Sequence, residues 1–411
     1  MRQRKVMIIG GGASGIVSAI SAARMGANVT IIEQKDRVGK KILSTGNGRC
    51  NLTNEYMSPA CFRGDDISIV SEALKQFGYE ETFRFFEELG VILKNKQAYI
   101  YPMTEQASTI LDVLRMELER LQVSVLLEHK VIAIKKNAKG YAIHTDKGIH
   151  QGDAVILATG GKAASVLGSD GSGYSLAKQF GHHVSPVVPA LVQLRGKGGF
   201  FKQIAGVRTQ ARITLYVDEQ SICSDIGELQ LTNYGISGIP VFQLSRFAAK
   251  ALYEKKHVQA EIDFLPSMSD EAFVSYIANR MLLHGYKTAE EFFVGIFNKK
   301  LIGMLLKEAK IPFQMVMNNV AIDKLERLLS IFKHFIVEIE ATNDFEQAQI
   351  CAGGIKTTEV NPQTFESMYE ADLYLVGELL DIDGICGGYN LQWAWTTGFI
   401  AGKHAAKGTK L

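Results

Sequence analysis

At 411 residues the chain is too long for one hydrophobic core and predicts two or three domains. Its 46% hydrophobic and 21% charged content is that of a globular enzyme, and a net charge of +2, with Lys and Arg scattered among acids, offers no basic stripe for nucleic acid. The absence of about 18 consecutive uncharged apolar residues excludes a membrane helix. The five cysteines are odd in number and scattered, without C-x-x-C or metal spacing, and predict reduced thiols rather than a dithiol reductase.

The start, Met1-Arg2-Gln3-Arg4-Lys5, runs directly into the apolar residues 6–10 without a signal-peptide core or cleavage site, so a cytoplasmic protein is expected. Residues 6–10 predict a strand, 13–25 a helix stopped by Gly26, and 29–33 a second strand, which together make a right-handed βαβ unit. Helices are expected near 68–89 and 105–121, a strand at 123–127, a hairpin-like stretch at 131–150, and a buried parallel strand at 154–159. Pro186 and Pro189 mark a change of character. Short alternating segments from 190 to 264 predict antiparallel sheet, and helical periodicity from 267 to 332 predicts a helical piece. Within it Thr288 and Glu291 form a capping box. Alternation returns at 335–340, and the last 60 residues read as glycine-rich βα units. The paired histidines His182 and His183, with no carboxylate cluster near in sequence, are expected at the surface.

Gly10-Gly11-Gly12-Ala13-Ser14-Gly15 fits G-x-G-x-x-G between strand and helix. Such a turn brings a pyrophosphate onto the free N–H groups of a helix N-terminus. Glu33, 18 residues after Gly15 at the end of the second strand, is placed to accept both ribose hydroxyls and opposes a 2′-phosphate. Downstream segments favour FAD over a nicotinamide cofactor as the resident dinucleotide. The loop Ser44-Thr45-Gly46-Asn47-Gly48-Arg49-Cys50-Asn51-Leu52-Thr53-Asn54, with Lys40 and Lys41 before it, suits a long anionic ligand. Ala158-Thr159-Gly160-Gly161 follows a strand. Near the end, Gly377-Glu378-Leu379-Leu380-Asp381 leads into Gly387-Gly388-Tyr389-Asn390-Leu391, where an aspartate can hold ribityl hydroxyls and a helix N-terminus can stabilise a reduced flavin.

Together these segments resemble the YhiN/BaiN-type flavoproteins, the aminoacetone oxidase-like FAD-binding family, across essentially the whole chain. The resemblance is carried by residues 10–15 with Glu33, by 44–54, 189–192, 227–238 and 352–390. It implies an α/β fold: a Rossmann-like, glutathione-reductase-like FAD domain with an inserted antiparallel β domain and a small helical cap. The implied boundaries are 1–188 with 351–411, 189–266 with 333–350, and 267–332. The implied cofactor residues are Gly10, Gly12, Ala13, Ser14, Gly15, Glu33 and Gln34, then Lys41, Asn47, Gly48, Arg49, Cys50, Asn51 and Thr53. Val131, Thr159, Gly160, Asp381, Gly388, Asn390 and Leu391 complete the set. The chain departs from the family pattern at Leu231-Thr232-Asn233, where members often carry Thr-His, and at Tyr101-Pro102-Met103-Thr104, where Phe-Pro-x-Ser is usual. Tyr101, Asn233 and Tyr234 are expected to meet the substrate. No catalytic acid or base and no metal ligand stands out.

The expectation is an FAD-dependent oxidoreductase acting on a small molecule. Two chemistries fit: reduction with NADH or NADPH as a transient donor, for which no second dinucleotide motif is present, or oxidation by oxygen. An RNA-modifying flavoprotein is the competing class, and the absence of a basic–aromatic patch in the sequence argues against it.

Overall fold

A computed structural model describes residues 3–408; Met1 and Arg2 of the basic start lie outside the described residues. The chain forms two compact units, one of residues up to Val188 together with those from Gln349 onward, the other Pro189–Ala348.

The first unit is built on a five-stranded parallel sheet, ordered Leu373–Leu375, Ala154–Leu157, Lys5–Ile9, Asn28–Ile32, Ser124–Leu126. Ile8 stands between Ile156 and Ile31 in register, and each is fully buried. Both faces of a parallel sheet are covered, so its strands read as continuous apolar runs rather than alternation. The hairpin-like stretch is a three-stranded antiparallel meander of Val131–Asn137, Gly140–Thr145 and Gly148–Gly152. Residues 68–89 form two helices, Ser68–Gln76 and Tyr79–Glu88, broken at Phe77-Gly78. The break has a cause: Gly78 caps the second helix, its N–H bonded to Glu81 at 2.9 Å.

The first helix, Ala13–Arg24, packs along the last, Tyr389–Lys407. Ser14, Ser18 and Ser21 recur at helical spacing on the first helix, all buried. Opposite them, a side chain at Gly398 or Gly402 would overlap the carbonyl oxygens of Ser14 and Ser18. The Ser21 hydroxyl donates to the Phe399 carbonyl at 2.7 Å across the seam. The last helix also ties down two loops. Gln392 accepts from the Thr53 hydroxyl at 2.6 Å and donates to Thr82 at 2.8 Å, while the Trp395 indole donates to the Leu52 carbonyl at 3.0 Å.

The second unit holds a closed antiparallel barrel, ordered Leu194–Gly196, Gly235–Ser237, Gln220–Leu231, Arg208–Val217, Val258–Asp263 and Phe335–Thr342. The segment expected to be all antiparallel sheet contains a 15-residue helix, Ile239–Tyr253. Pro240, in the first turn of this helix, is at a position where proline favours a helix start. The helical segment comprises Asp270–His284, Ala289–Phe293, Lys299–Glu308 and Ile322–Lys333, with the Thr288–Glu291 capping box formed. Its flanks adjoin, since Ile262 pairs with Phe335. Its core residues Phe273, Phe292, Leu305 and Phe332 are continuous with barrel residues Ile213, Leu229 and Ile262, so these helices share the barrel's core rather than building their own.

His182 departs from the surface expectation. It is buried, its Nε2 2.8 Å from the Ser367 hydroxyl and its Nδ1 3.2 Å from Glu359, which also accepts the His183 N–H at 2.8 Å. Glu359 lies 177 residues downstream of His182, so the carboxylate partner was invisible locally. Among the described residues no helix is long and apolar enough to cross a membrane, and no cluster of three metal-ligating side chains occurs.

Glycine-to-alanine exchange in an exposed helix gains about 1 kcal/mol of propensity. At Gly402 the added methyl strikes Ser18, and an overpacked contact costs about 1–3 kcal/mol. At Gly303 the nearest atom is 3.9 Å away. Gly402→Ala is therefore expected to destabilise and Gly303→Ala to stabilise, as read from denaturant midpoints. Equal shifts of one sign would contradict the seam.

Candidate cofactor site

The site lies at the carboxyl ends of the parallel strands, where the loops after Ile9, Ile32, Leu157 and Leu375 converge. Gly10 adopts φ +101°, and a Cβ there would lie 2.5 Å from the Ala158 carbonyl oxygen. This close approach brings the loops after the two central strands together. A Cβ on Gly12 would meet no atom within 4 Å, so the chain leaves open space over the turn. The first helix begins there without a side-chain cap, leaving its first N–H groups to a ligand.

Glu33 is buried, and its two carboxylate oxygens accept the N–H groups of Gly11 at 2.7 Å and Lys35 at 2.8 Å. Burial holds its carboxyl above the ordinary value of 4.5, outweighing the two N–H bonds and the charge of Lys35. A buried carboxylate that can accept ribose hydroxyls, beside an open glycine turn whose helix N–H groups can donate to a pyrophosphate, is what a dinucleotide requires. The residues present fit the group.

The other expected cofactor residues fall into three groups. Ala13, Ser14 and Gly15 open the first helix, and the Ser14 hydroxyl abuts Gly377, where a Cβ would lie at 2.7 Å. Gly377 in turn accepts the Trp393 indole N–H at 3.2 Å, which links the start of the first helix to the loop after the last parallel strand. Thr159 and Gly160 lie in the loop beyond Leu157, and Asp381 is almost fully buried, its carboxylate accepting the Asp65 N–H at 3.3 Å.

A second group acts by placing backbone. Asn51, its amide oriented to match its neighbours, donates to Ile100 and Thr53 carbonyls and accepts the Gly388 N–H at 3.2 Å. Thr53 spends its hydroxyl on Gln392, and Asn390 pairs twice with the Gly384 peptide at 2.8 Å. These side chains hold the 44–54 loop against the start of the last helix. Cys50 is fully buried, and burial pushes its thiol up to about 12, so it is a packed thiol rather than a redox partner. The chain from Lys40 to Gly48 makes 3-10 turns interrupted by a kink at Thr45, Gly46 and Asn47, and Gly46, Asn47, Gly48 and Cys50 are all at positive φ. Asparagine tolerates that conformation, so Cys50 is the residue held there at a cost.

A third group points elsewhere. Gln34 donates to the Gly168 carbonyl at 2.6 Å, Val131 is buried in the meander, and Leu391 is half-buried. Lys41 pairs with Glu378 at 2.8 Å and donates to the Ala163 carbonyl, and Arg49 lies exposed, 4.0 Å from Glu105. Glu378 was missed in the sequence, although it follows Gly377 directly. Its carboxylate joins three segments by accepting Lys41 and the Cys351 N–H at 2.9 Å beside Gly161. Tyr174, also missed, turns a buried hydroxyl toward the same place, and burial raises its pKa. The Gly377–Asp381 turn was singled out without a role for Glu378, and no local motif announced Tyr174.

The substrate candidates divide between the units. Tyr101 stands on strand Tyr99–Pro102 of the first unit, its ring 3.8 Å from where a Gly46 side chain would begin. In the second unit, Asn233 is exposed in the turn before Gly235–Ser237. Tyr234 accepts from Asn343 at 3.0 Å and lies under the Arg195 guanidinium at 5.1 Å.

Comparison with known proteins agrees with this architecture. The model of the HI0933-like protein Rossmann domain matches residues 4–404. A 3-dehydro-bile acid delta(4,6)-reductase from Clostridium scindens is 51% identical over 405 residues, covering 98% of this chain and 99% of the relative. A ribosomal RNA dihydrouridine synthase from Haemophilus influenzae is 28% identical, with 96% of both chains covered. Among solved structures, 3-ketosteroid delta1-dehydrogenase from Sterolibacterium denitrificans aligns with a TM-score of 0.51 at 14% identity over 99% of this chain and all of that one, a likeness of fold. Matched over nearly its whole length, the chain belongs to the HI0933-like family and is an FAD-dependent oxidoreductase.

Proposed function

We propose that this protein reduces a carbon–carbon double bond conjugated to a ketone in a flat polycyclic substrate, with NADH or NADPH as the hydride source. The observation that carries this reading is the 51% identity, end to end, with a 3-dehydro-bile acid delta(4,6)-reductase. Bound FAD supplies a hydride acceptor that stores two electrons between donor and substrate. The overall change is NAD(P)H plus a proton plus the alkene giving NAD(P)+ and the saturated ketone.

The chain's own residues then have three tasks. Glu33 and the open turn at Gly12 hold the adenosine ribose and pyrophosphate. Asp381 would hold the ribityl hydroxyls, while the Lys41–Glu378 pair fixes the loops beside it. Tyr101 donates the proton that accompanies the hydride. Its hydroxyl is half-buried, and burial raises its pKa even against the charge of Arg49, so the phenol is protonated at neutral pH. The weaker likeness to ribosomal RNA dihydrouridine synthases supports the competing substrate, a uridine in RNA.

Product analysis tests the reading. Incubated with NADPH and a 3-oxo-4-ene steroid acid, the enzyme is expected to yield the saturated ketone, and turnover with an rRNA fragment alone would overturn the choice of substrate. Tyr101→Phe is expected to slow substrate reduction about 10²–10⁴-fold, the range of a lost general acid, while flavin reduction by NADPH persists. Loss of both half-reactions together would remove Tyr101 from the proton step.

Glu33→Ala should weaken FAD binding by about 2–3 kcal/mol, the worth of charged hydrogen bonds to a ribose. Because burial raises the Glu33 pKa, protonation begins above the ordinary 4.5 as pH falls. FAD binding, which needs the ionised acceptor, is therefore expected to weaken as pH falls into the acid range, starting at a higher pH than an ordinary glutamate would give, and Glu33→Gln to lose that dependence. Titration of the FAD-free protein by flavin fluorescence reads both, and an unchanged profile in Glu33→Gln would assign the pH response to another group.

A further inference from the structure

The paired histidines take no part in the chemistry above; they form a node with Glu359 and Ser367. The Ser367 oxygen accepts the N–H groups of Tyr369 and Glu370, each at 3.1 Å, so its own hydrogen is left for His182. His182 Nε2 is therefore the acceptor, and its Nδ1–H donates to Glu359. Burial lowers the His182 pKa, which agrees with a neutral ring. One Glu359 oxygen takes this bond and the His183 N–H, and the other takes His183 Nδ1 at 2.7 Å. Burial would raise the Glu359 carboxyl, but these bonds hold it lower, so it is ionised at neutral pH. Ser367, His182 and Glu359 follow the order of a hydrolytic triad. Yet the Ser367 oxygen is buried and already accepts two N–H groups, so the arrangement fastens the chain rather than arming a nucleophile.

The node fastens two segments that run to the cofactor loops. The His183 carbonyl accepts the Lys356 N–H at 3.1 Å, Val184 bridges Ile355, and the Ser185 N–H donates to the Gly354 carbonyl at 2.8 Å. Ile355 passes the hold on: its N–H donates to the Leu379 carbonyl at 2.9 Å, and its carbonyl accepts the Asp381 N–H at 2.8 Å. The Asp381 carboxylate is held by a second route. It accepts the Asp65 N–H at 3.3 Å, and the Asp65 carboxylate accepts the Ser185 hydroxyl at 2.9 Å. Backbone and side chain of Asp381 thus both trace to residues 183–185, and Glu359 locks the far end of that short ladder. His182, Ser185, Glu359 and Asp381 are all buried.

We propose that Glu359 and Ser185 are positioning residues for FAD, acting through Asp381. The inference rests on the assignment of Asp381 to the ribityl hydroxyls. An acceptor fixed beforehand binds more tightly than a mobile one, because its ordering no longer opposes binding. A loss at Glu359 therefore loosens the cofactor without removing any group that touches it.

The test follows FAD release from the holoenzyme on dilution, read as the rise of free flavin fluorescence, with each variant first saturated with FAD. Glu359→Ala is expected to release FAD about tenfold faster than wild type, a part of the worth of the bonds it removes. Glu359→Gln keeps an oxygen for His182 and the His183 N–H and turns its amide to the His183 ring, so it should bring release back to within about twofold. Ser185→Ala, which leaves the node intact, should speed release about threefold. A general defect of the scaffold would act in any background, so the double variants decide. Combined with Asp381→Ala, the effects of Glu359→Ala and Ser185→Ala should vanish; combined with Glu33→Ala, they should persist in full. Release unchanged in both single variants, or effects that survive in Asp381→Ala, would overturn the proposal and leave the ribityl assignment standing. Should Glu359→Ala not fold, Ser185→Ala carries the same comparison. An Asp381→Ala holoenzyme that releases FAD as slowly as wild type would overturn the ribityl assignment and this inference with it.

Discussion

The close approach of the first and last helices is the constraint on which the first unit depends. Gly398 and Gly402 remove the side chains that would otherwise hold the helices apart, so backbone meets the serine face of the first helix. The same packing sets Gly377 beside Ser14 and the start of the last helix beside Thr53. Loops separated by more than 300 residues thus converge on one open turn. Burial of helix against helix is non-directional, but a backbone contact of this kind admits one register. The geometry of the cofactor crevice is therefore set in part by glycines of the last helix packed against the first.

Electrostatics within the crevice follow from that register. Glu33 is buried without a cation in contact, held by peptide N–H groups, and its raised pKa records the cost of that burial. Lys41 and Glu378 neutralise one another instead, and Glu378 also fixes the Cys351 peptide. An ion pair between loops holds them in one arrangement, and its net energy is small because both charges remain partly hydrated.

Much of this was legible in the sequence. The G-x-G-x-x-G turn, Glu33 and the buried strands carry their own local signals, because a parallel strand is apolar throughout and a phosphate turn needs glycine at fixed positions. The helix Ile239–Tyr253 was not legible, since Gly238 and Pro240 punctuate strands and helix starts alike. The shared core of barrel and helices was hidden for another reason: apolar periodicity shows that a helix has a buried face and not which partner covers it. Contacts such as His182 with Glu359 and Lys41 with Glu378 join residues distant in sequence, and only topology brings them together. Several residues implied by family resemblance, Asn51, Thr53 and Asn390 among them, spend their side chains on the scaffold.

The account centres on a flavin that passes electrons from a nicotinamide to a conjugated alkene. Its most direct test is anaerobic stopped-flow absorbance of the holoenzyme, first mixed with NADPH or NADH and then with a 3-oxo-4-ene steroid acid. The account predicts that the flavin bleaches with the nicotinamide and regains its oxidised spectrum on mixing with the steroid in the absence of oxygen. A flavin that neither nicotinamide reduces, or that only oxygen restores, would contradict it.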